Sequence, residues 1–258
     1  MGNTARGLAF TVGVGVLAGG LGAQDGTWWL DAYREPADRI LASARADRAA
    51  WNRLAELTDS FGPRLSGTPQ LEAAIRWAAA EMKKDGFENV RLEKVMVPTW
   101  VRGRESAEIV EPIPSALAML GLGNSVGTPP GGITGEILVV KSAEDLDARA
   151  AAAKGKIVVF NVPFAGYAAT VRYRSSGASQ AAKHGAVAML LRSVGLPGLR
   201  TPHTGALRYD EGTPPIPAAA ISGEDADRLQ RMVDRGQTVT VRLNMEARFL
   251  PDSESANL

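Results

Sequence analysis

Apolar and polar positions follow two periods along this chain, and each period marks out its own elements. Between Ala37 and Leu57, the residues Ile40, Leu41, Ala44, Trp51, Leu54, Ala55 and Leu57 fall roughly on one face, with arginines and acids on the other, so one helix is expected over 37–57. The loop SFGPRLSGTP follows. Thr68 is a favoured N-cap with Pro69 at the first helical position. Leu71, Ala74, Ile75, Ala78 and Met82 then continue at helical spacing, Lys83 and Lys84 suit the negative end of the dipole, and Gly86 suits the stop. Period two takes over in 90–98 and 105–112, which read as strands.

A turn-rich stretch, LGLGNSVGTPPGGITG, separates these elements from a second series. The series reads strand 135–140, helix 143–153, strand 156–162, helix from about 173 to 183 and strand 186–192. A polar loop follows, then strand 217–221, helix 224–235 with Ser222 and Asp225 placed as a capping box, and an alternating strand over 238–249. Strands alternating with helices give an α/β fold with a partly parallel sheet.

The N-terminus changes the picture. Arg6 precedes an uncharged apolar stretch from Leu8 to Leu21, then small residues and polar QDG, which is the pattern of a secretory signal cleaved after Ala23. The stretch is short for a bilayer span and rich in glycine, so no stable membrane span is expected after cleavage, and the protein is expected to be secreted or periplasmic. The 258 residues carry 29 Lys and Arg against 28 Asp and Glu, with no basic block, which argues against a nucleic-acid partner. Cysteine is absent, which excludes disulfides, thiolate metal sites and cysteine nucleophiles.

Three places invite a chemical reading. Gly123-Asn124-Ser125-Val126-Gly127 fits the G-x-S-x-G nucleophile pattern, which would make Ser125 the nucleophile of a serine hydrolase. That geometry needs a helix directly after the serine, and TPPGGITG does not form one, so a glycine-rich turn is favoured. His184 lies at a helix end before an apolar strand, where a structural role is ordinary. His203 lies in the polar loop TPHTGALRYD, with Thr204, Tyr209 and Asp210 nearby. With two histidines and no cysteine in the chain, a zinc site confined to these residues is not expected.

The stretch LTDSFGPRLSGTPQLEAAIRWAAAEMKKDGFENVRLEKVMVPTWVRG resembles the opening of the carboxypeptidase Q-like zinc exopeptidases, relatives of the glutamate carboxypeptidases and of the two-zinc aminopeptidases. KGKIVVFNVPF, AAKHGAVAMLLRSVG, PHTGALRYD and IPAAAIS resemble the protease-associated insert of the same group. The resemblance implies a signal peptide over 1–23, the first part of a peptidase α/β/α sandwich over 24–114, an inserted protease-associated α/β domain over 115–249 and a return linker over 250–258. In that family the zinc ligands and the general-base glutamate follow the returning strand, whose start matches Asn257 and Leu258. By this resemblance no metal ligand and no catalytic residue transfers to the chain. Zinc is expected only in the full-length enzyme, and the chain by itself is expected to be catalytically silent. The peptide substrate is then shared with the missing half. Substrate contact is expected from His203, Thr204 and Tyr209, with Arg192 and Ser193 beside them. The apolar faces bearing Ile75, Trp77, Met82 and Val97 are expected to be partly open and to seek a companion chain or a second copy. A stand-alone peptide-binding module is the alternative expectation.

Overall fold

The computed structural model describes residues 28–258, so the apolar segment 8–21 and the cleavage expected after Ala23 lie outside the described residues. The chain divides into two compact units, one ending at Leu57 and one covering Thr58–Leu258. In the first, a short 3-10 turn at Trp28–Leu30 leads into α1 (Asp31–Ala46), which buries none of its side chains. The next helix, α2 (Ala49–Phe61), carries the chain across the boundary. The single helix expected over 37–57 is therefore two. Asp47 leaves the helix in an extended conformation and its carboxylate accepts the Ala49 N–H at 2.8 Å. An aspartate competes well for free N–H groups, so it ends one helix by capping the next.

The second unit opens with α3 (Pro69–Lys84), started as expected by Thr68, whose hydroxyl accepts the Leu71 N–H at 3.3 Å. The strands and helices that follow are β1 (Glu93–Val101), β2 (Glu105–Glu111), β3 (Ser115–Leu117), β4 (Met119–Gly121), β5 (Ile133–Val140), α4 (Ala143–Ala148), α5 (Ala150–Ala153) and β6 (Ile157–Phe160). Then come α6 (Tyr167–Lys183), β7 (Ala188–Arg192), β8 (Ala218–Ile221), α7 (Gly223–Asp234), β9 (Thr240–Met245) and β10 (Arg248–Asn257). The helix expected over 143–153 breaks at Arg149, whose guanidinium turns back to the Val139 carbonyl at 2.8 Å. The α6 helix starts at Tyr167, earlier than its apolar stripe suggests, and the Thr170 hydroxyl ties the preceding segment to it by accepting the Ala165 N–H at 3.2 Å.

Two sheets result. The larger has eight strands in the order β3-β2-β9-β5-β6-β7-β8-β4, parallel across β5, β6, β7 and β8 and antiparallel on both flanks. A parallel centre has both faces covered, which is why IVVF, AMLL (188–191) and AAAI are apolar without alternation and buried. Successive side chains point to opposite faces. Ile157, Val159, Leu190 and Ile221 pack with Leu229 of α7, whereas Val158, Phe160, Met189 and Leu191 pack with Tyr173 and Ala178 of α6. Since β2 belongs to this sheet, the sheet begins ahead of residue 115.

The smaller sheet is the antiparallel pair β1 and β10, with α3 packed against β10. Residues 250–258, expected as a linker, thus form most of a strand. Their sequence, LPDSESANL, is too polar to show a strand pattern, yet Ser255 is buried and Ser253 accepts a hydrogen bond from Thr99 at 2.7 Å. Likewise the expected strand 238–249 is two strands in different sheets. The chain changes sheets at Glu246 and Ala247, directly beside the opposite crossing at Arg102–Arg104. Gly103 there has φ +68°, and a Cβ on it would lie 2.5 Å from that of Glu246. Ile75, Trp77, Met82 and Val97 are half-buried. Among the described residues no helix is long and apolar enough to cross a membrane.

Candidate functional site

A cavity of about 640 Å³ opens between the end of β1 and the loop that precedes β8. Pro98 and Trp100 reach it from β1, Arg102 from the residue just after it, Phe249 from β10, Leu65 and Ser66 from the loop before α3, and Gly123, Asn124 and residues 204–209 from the large-sheet side. The walls are mostly apolar, with two guanidinium groups, Arg102 and Arg208, among them.

The cavity is held open by backbone clamps. The Gly121 N–H donates to Glu105 Oε1 at 3.0 Å. The Gly121 carbonyl accepts from Arg102 Nη1 and from the Thr204 hydroxyl, the latter at 2.8 Å. One peptide group therefore joins β4, the residue after β1 and the histidine-bearing loop. The loop also runs beside Gly123, taking the Gly123 N–H on the Gly205 carbonyl at 3.0 Å and returning the Leu207 N–H to the Gly123 carbonyl at 2.9 Å. Beneath Gly205 lies the buried guanidinium of Arg174, so close that a Cβ on Gly205 would sit 2.6 Å from its central carbon. Arg174 donates to the Tyr167 hydroxyl at 2.7 Å, and among the described residues it has no acidic partner.

The structure brings some of the expected residues to the cavity and uses others as supports. Thr204 and Tyr209 line it. The Tyr209 hydroxyl accepts the Val126 N–H at 3.2 Å and donates to the Ile216 carbonyl at 2.7 Å. Burial raises its pKa above the usual phenol value, and its hydrogen bonds partly oppose that shift. His203 is exposed and outside the lining, with its backbone N–H held by Ser193 Oγ at 2.8 Å. Ser193 in turn donates to the Ile221 carbonyl at 2.7 Å. Arg192 is buried at the end of β7, where Nη1 donates to Asn161 at 3.0 Å, to the Gly223 carbonyl at 3.2 Å and to Asp227. Ser193 thus anchors the loop, and Arg192 locks the start of α7 to the sheet.

Ser125 does not have the surroundings of a nucleophile. It is fully buried, its hydroxyl accepts the Ala218 N–H at 2.8 Å and donates to the Val126 carbonyl at 2.9 Å, and a turn rather than a helix follows it. The motif match comes from a backbone turn at Asn124, φ +68°, which brings the hydroxyl onto β8. His184 lies at the C-cap of α6, with Nε2 2.7 Å from Asp147 Oδ1. Arg102, Arg208, Trp100 and Phe249 are site residues that sequence reasoning missed. The alternation of β1 signals only that Trp100 and Arg102 share a face, and nothing local shows that Arg208 meets them.

Among the described residues no three His, Cys, Asp or Glu side chains come together. His184 is engaged with Asp147, and the polar groups lining the cavity are hydroxyl, amide and guanidinium. Guanidinium groups repel a cation, so the described cavity does not fit a zinc ion.

Comparison with known proteins agrees with this architecture. The PA domain family matches residues 120–229. Carboxypeptidase Q of Mus musculus is 50% identical over 228 residues, covering 87% of this chain and 48% of that protein. The Homo sapiens protein is 48% identical over 213 residues, covering 83% and 45%. The chain therefore spans about half the length of the curated relatives it matches. Among solved structures, a peptidase M28 precursor from Shewanella amazonensis superposes with a TM-score of 0.83 at 35% identity, covering 88% of this chain and 53% of that one. A zinc aminopeptidase from Bacillus subtilis shares the fold, with a TM-score of 0.55 at 20% identity over 80% of this chain and 45% of that one.

Proposed function

Because the chain is homologous to carboxypeptidase Q and carries a PA domain, we propose that it supplies the substrate-access wall of an exported zinc-dependent exopeptidase acting on dipeptides or peptide ends. The observation that carries this reading is the cavity itself, where the PA-domain loop 204–209 meets the end of β1 across a space large enough for a short peptide. Thr204 and Tyr209 contact the substrate, and His203 stands at the rim, set there by Ser193. The described residues contribute shape and charge, and zinc chemistry belongs to donors outside them. Arg6 and the apolar stretch after it support export, to the periplasm or the medium. The half-buried Ile75, Trp77 and Met82 of α3 are the surface for a companion chain or a second copy.

The test is peptide binding measured by calorimetry on the purified chain and on Ala206→Trp, which fills the cavity from an exposed position. Binding by the parent and loss of binding in the variant, at an unchanged unfolding temperature, is the expected result. Equal binding by both refutes the assignment of this cavity. Zinc-dependent cleavage by the chain alone refutes the division of labour. Serine chemistry at Ser125 is not favoured, given its burial and its two hydrogen bonds.

A further inference from the structure

Two cations face the cavity and no carboxylate lines it. Arg102 uses only Nη1 on protein partners, the Gly121 carbonyl and, at 3.4 Å, Glu105 Oε1. Its guanidinium is stacked at 5.1 Å on the Trp100 ring, which orients it, and Nε and Nη2 have no partner among the described residues. Arg208 is exposed on the opposite wall, and its side chain has neither a hydrogen bond nor an ion pair among the described residues. Arg174 adds a third guanidinium immediately behind Gly205. Of the acids beside them, Glu105 pairs with Arg102 at 3.4 Å, and Asp210, two residues after Arg208, is paired with Lys183 at 2.6 Å. A cavity with apolar walls and an uncompensated positive charge has a field that favours an anion, and guanidinium donors are the side chains best matched to a carboxylate.

We infer that Arg208, opposite Arg102, anchors a carboxylate group of the ligand while Pro98, Trp100 and Phe249 take the neighbouring apolar side chain. This rests on the reading of the cavity as a peptide-binding cleft and makes it selective for an anionic ligand. The carboxylate is either the free α-carboxylate of a peptide end or an acidic side chain, and the two are separable.

The test is calorimetric titration of the full chain with three probes: N-acetyl-leucine, N-acetyl-leucinamide, and N-acetyl-glutamic acid α-amide, whose only carboxylate is on its side chain. At least one acid binds about tenfold tighter than the leucinamide, and Arg208→Gln removes most of that preference, as expected for loss of a charge-assisted contact. A preference for N-acetyl-leucine identifies the α-carboxylate, and a preference for the glutamyl probe identifies an acidic side chain. The preference narrows as salt is raised. Equal binding of all three probes overturns the carboxylate anchor and leaves the cleft reading standing. Binding of none overturns both. A preference that survives Arg208→Gln unchanged overturns the role of Arg208, and the exposed position of that side chain makes misfolding an improbable source of any loss.

Discussion

The carboxylate of Glu246 accepts the backbone N–H of Arg104 at 3.0 Å and two of its guanidinium N–H groups at 2.9 and 2.6 Å. The Glu246 N–H donates to the Arg104 carbonyl at 3.0 Å. The segment entering the large sheet and the segment leaving it are thereby held side by side, at the one place where the polypeptide passes between the two sheets.

The hydrogen bonds from Arg104 hold the Glu246 carboxyl below the usual glutamate range, and Glu246 holds the Arg104 guanidinium above its own. A folded pKa below the unfolded value adds stability that is present above the unfolded glutamate pKa and lost as pH falls through the lowered folded value. Both groups are at the surface, so the effect on global stability is small. Carboxyl-detected NMR is expected to show Glu246 titrating below the ordinary glutamate range, with the shift absent in Arg104→Ala. An ordinary titration curve for Glu246 contradicts the pairing.

Tyr209→Phe leaves the Val126 N–H and the Ile216 carbonyl without their partner. The expected destabilisation is about 1–3 kcal/mol, measured by denaturant unfolding. The raised phenol pKa also has a sign. The unfolded chain releases this proton first, so the Tyr209 contribution is full below the ordinary phenol pKa and declines as pH rises through the folded value. The mutant is expected to show a shallower alkaline decline than the parent.

Asp225 is buried, accepts the Ala118 N–H at 2.7 Å and takes Arg200 Nε at 3.1 Å on each oxygen. It joins the start of α7 to the segment linking β3 and β4. Asp225→Ala strands the half-buried Ala118 N–H and takes from Arg200 its carboxylate partner, leaving it the Ala116 carbonyl, with an expected cost of about 1–3 kcal/mol. Chemical denaturation gives the value, and a loss under 0.5 kcal/mol, roughly the size of an ordinary surface substitution, argues against the network.

Ser125→Ala removes the acceptor for the buried Ala218 N–H and is expected to lower stability by about 1–2 kcal/mol. A fluorophosphonate is expected to leave Ser125 of the parent unlabelled under native conditions, with mass spectrometry as the readout. Native labelling at this position reopens serine chemistry.

The elements with strong periodicity were legible in the sequence. Thr68 and Pro69 mark the start of α3, Ser222 and Asp225 the start of α7, and the unbroken apolar runs mark the parallel strands. The breaks were less legible because single polar groups make them, as Asp47 does between α1 and α2 and Arg149 between α4 and α5. Strand β10 was hidden, since its partner lies far away in sequence and its one buried position, 255, holds serine. For the site, the loop could be read from its polar, histidine-bearing composition, and Thr204 and Tyr209 do line the cavity. Which arginines face that loop depends on how the two sheets meet, which no local pattern encodes.

The paired crossings at Gly103 and Glu246 make the β1 and β10 ribbon a hairpin whose turn has been replaced by an entire sheet. Val101 and Arg248 already face each other at the end of that ladder, so a two-residue type I′ connection between them is all a plain hairpin would need, and everything from Arg102 to Ala247 is by connectivity an insertion into it.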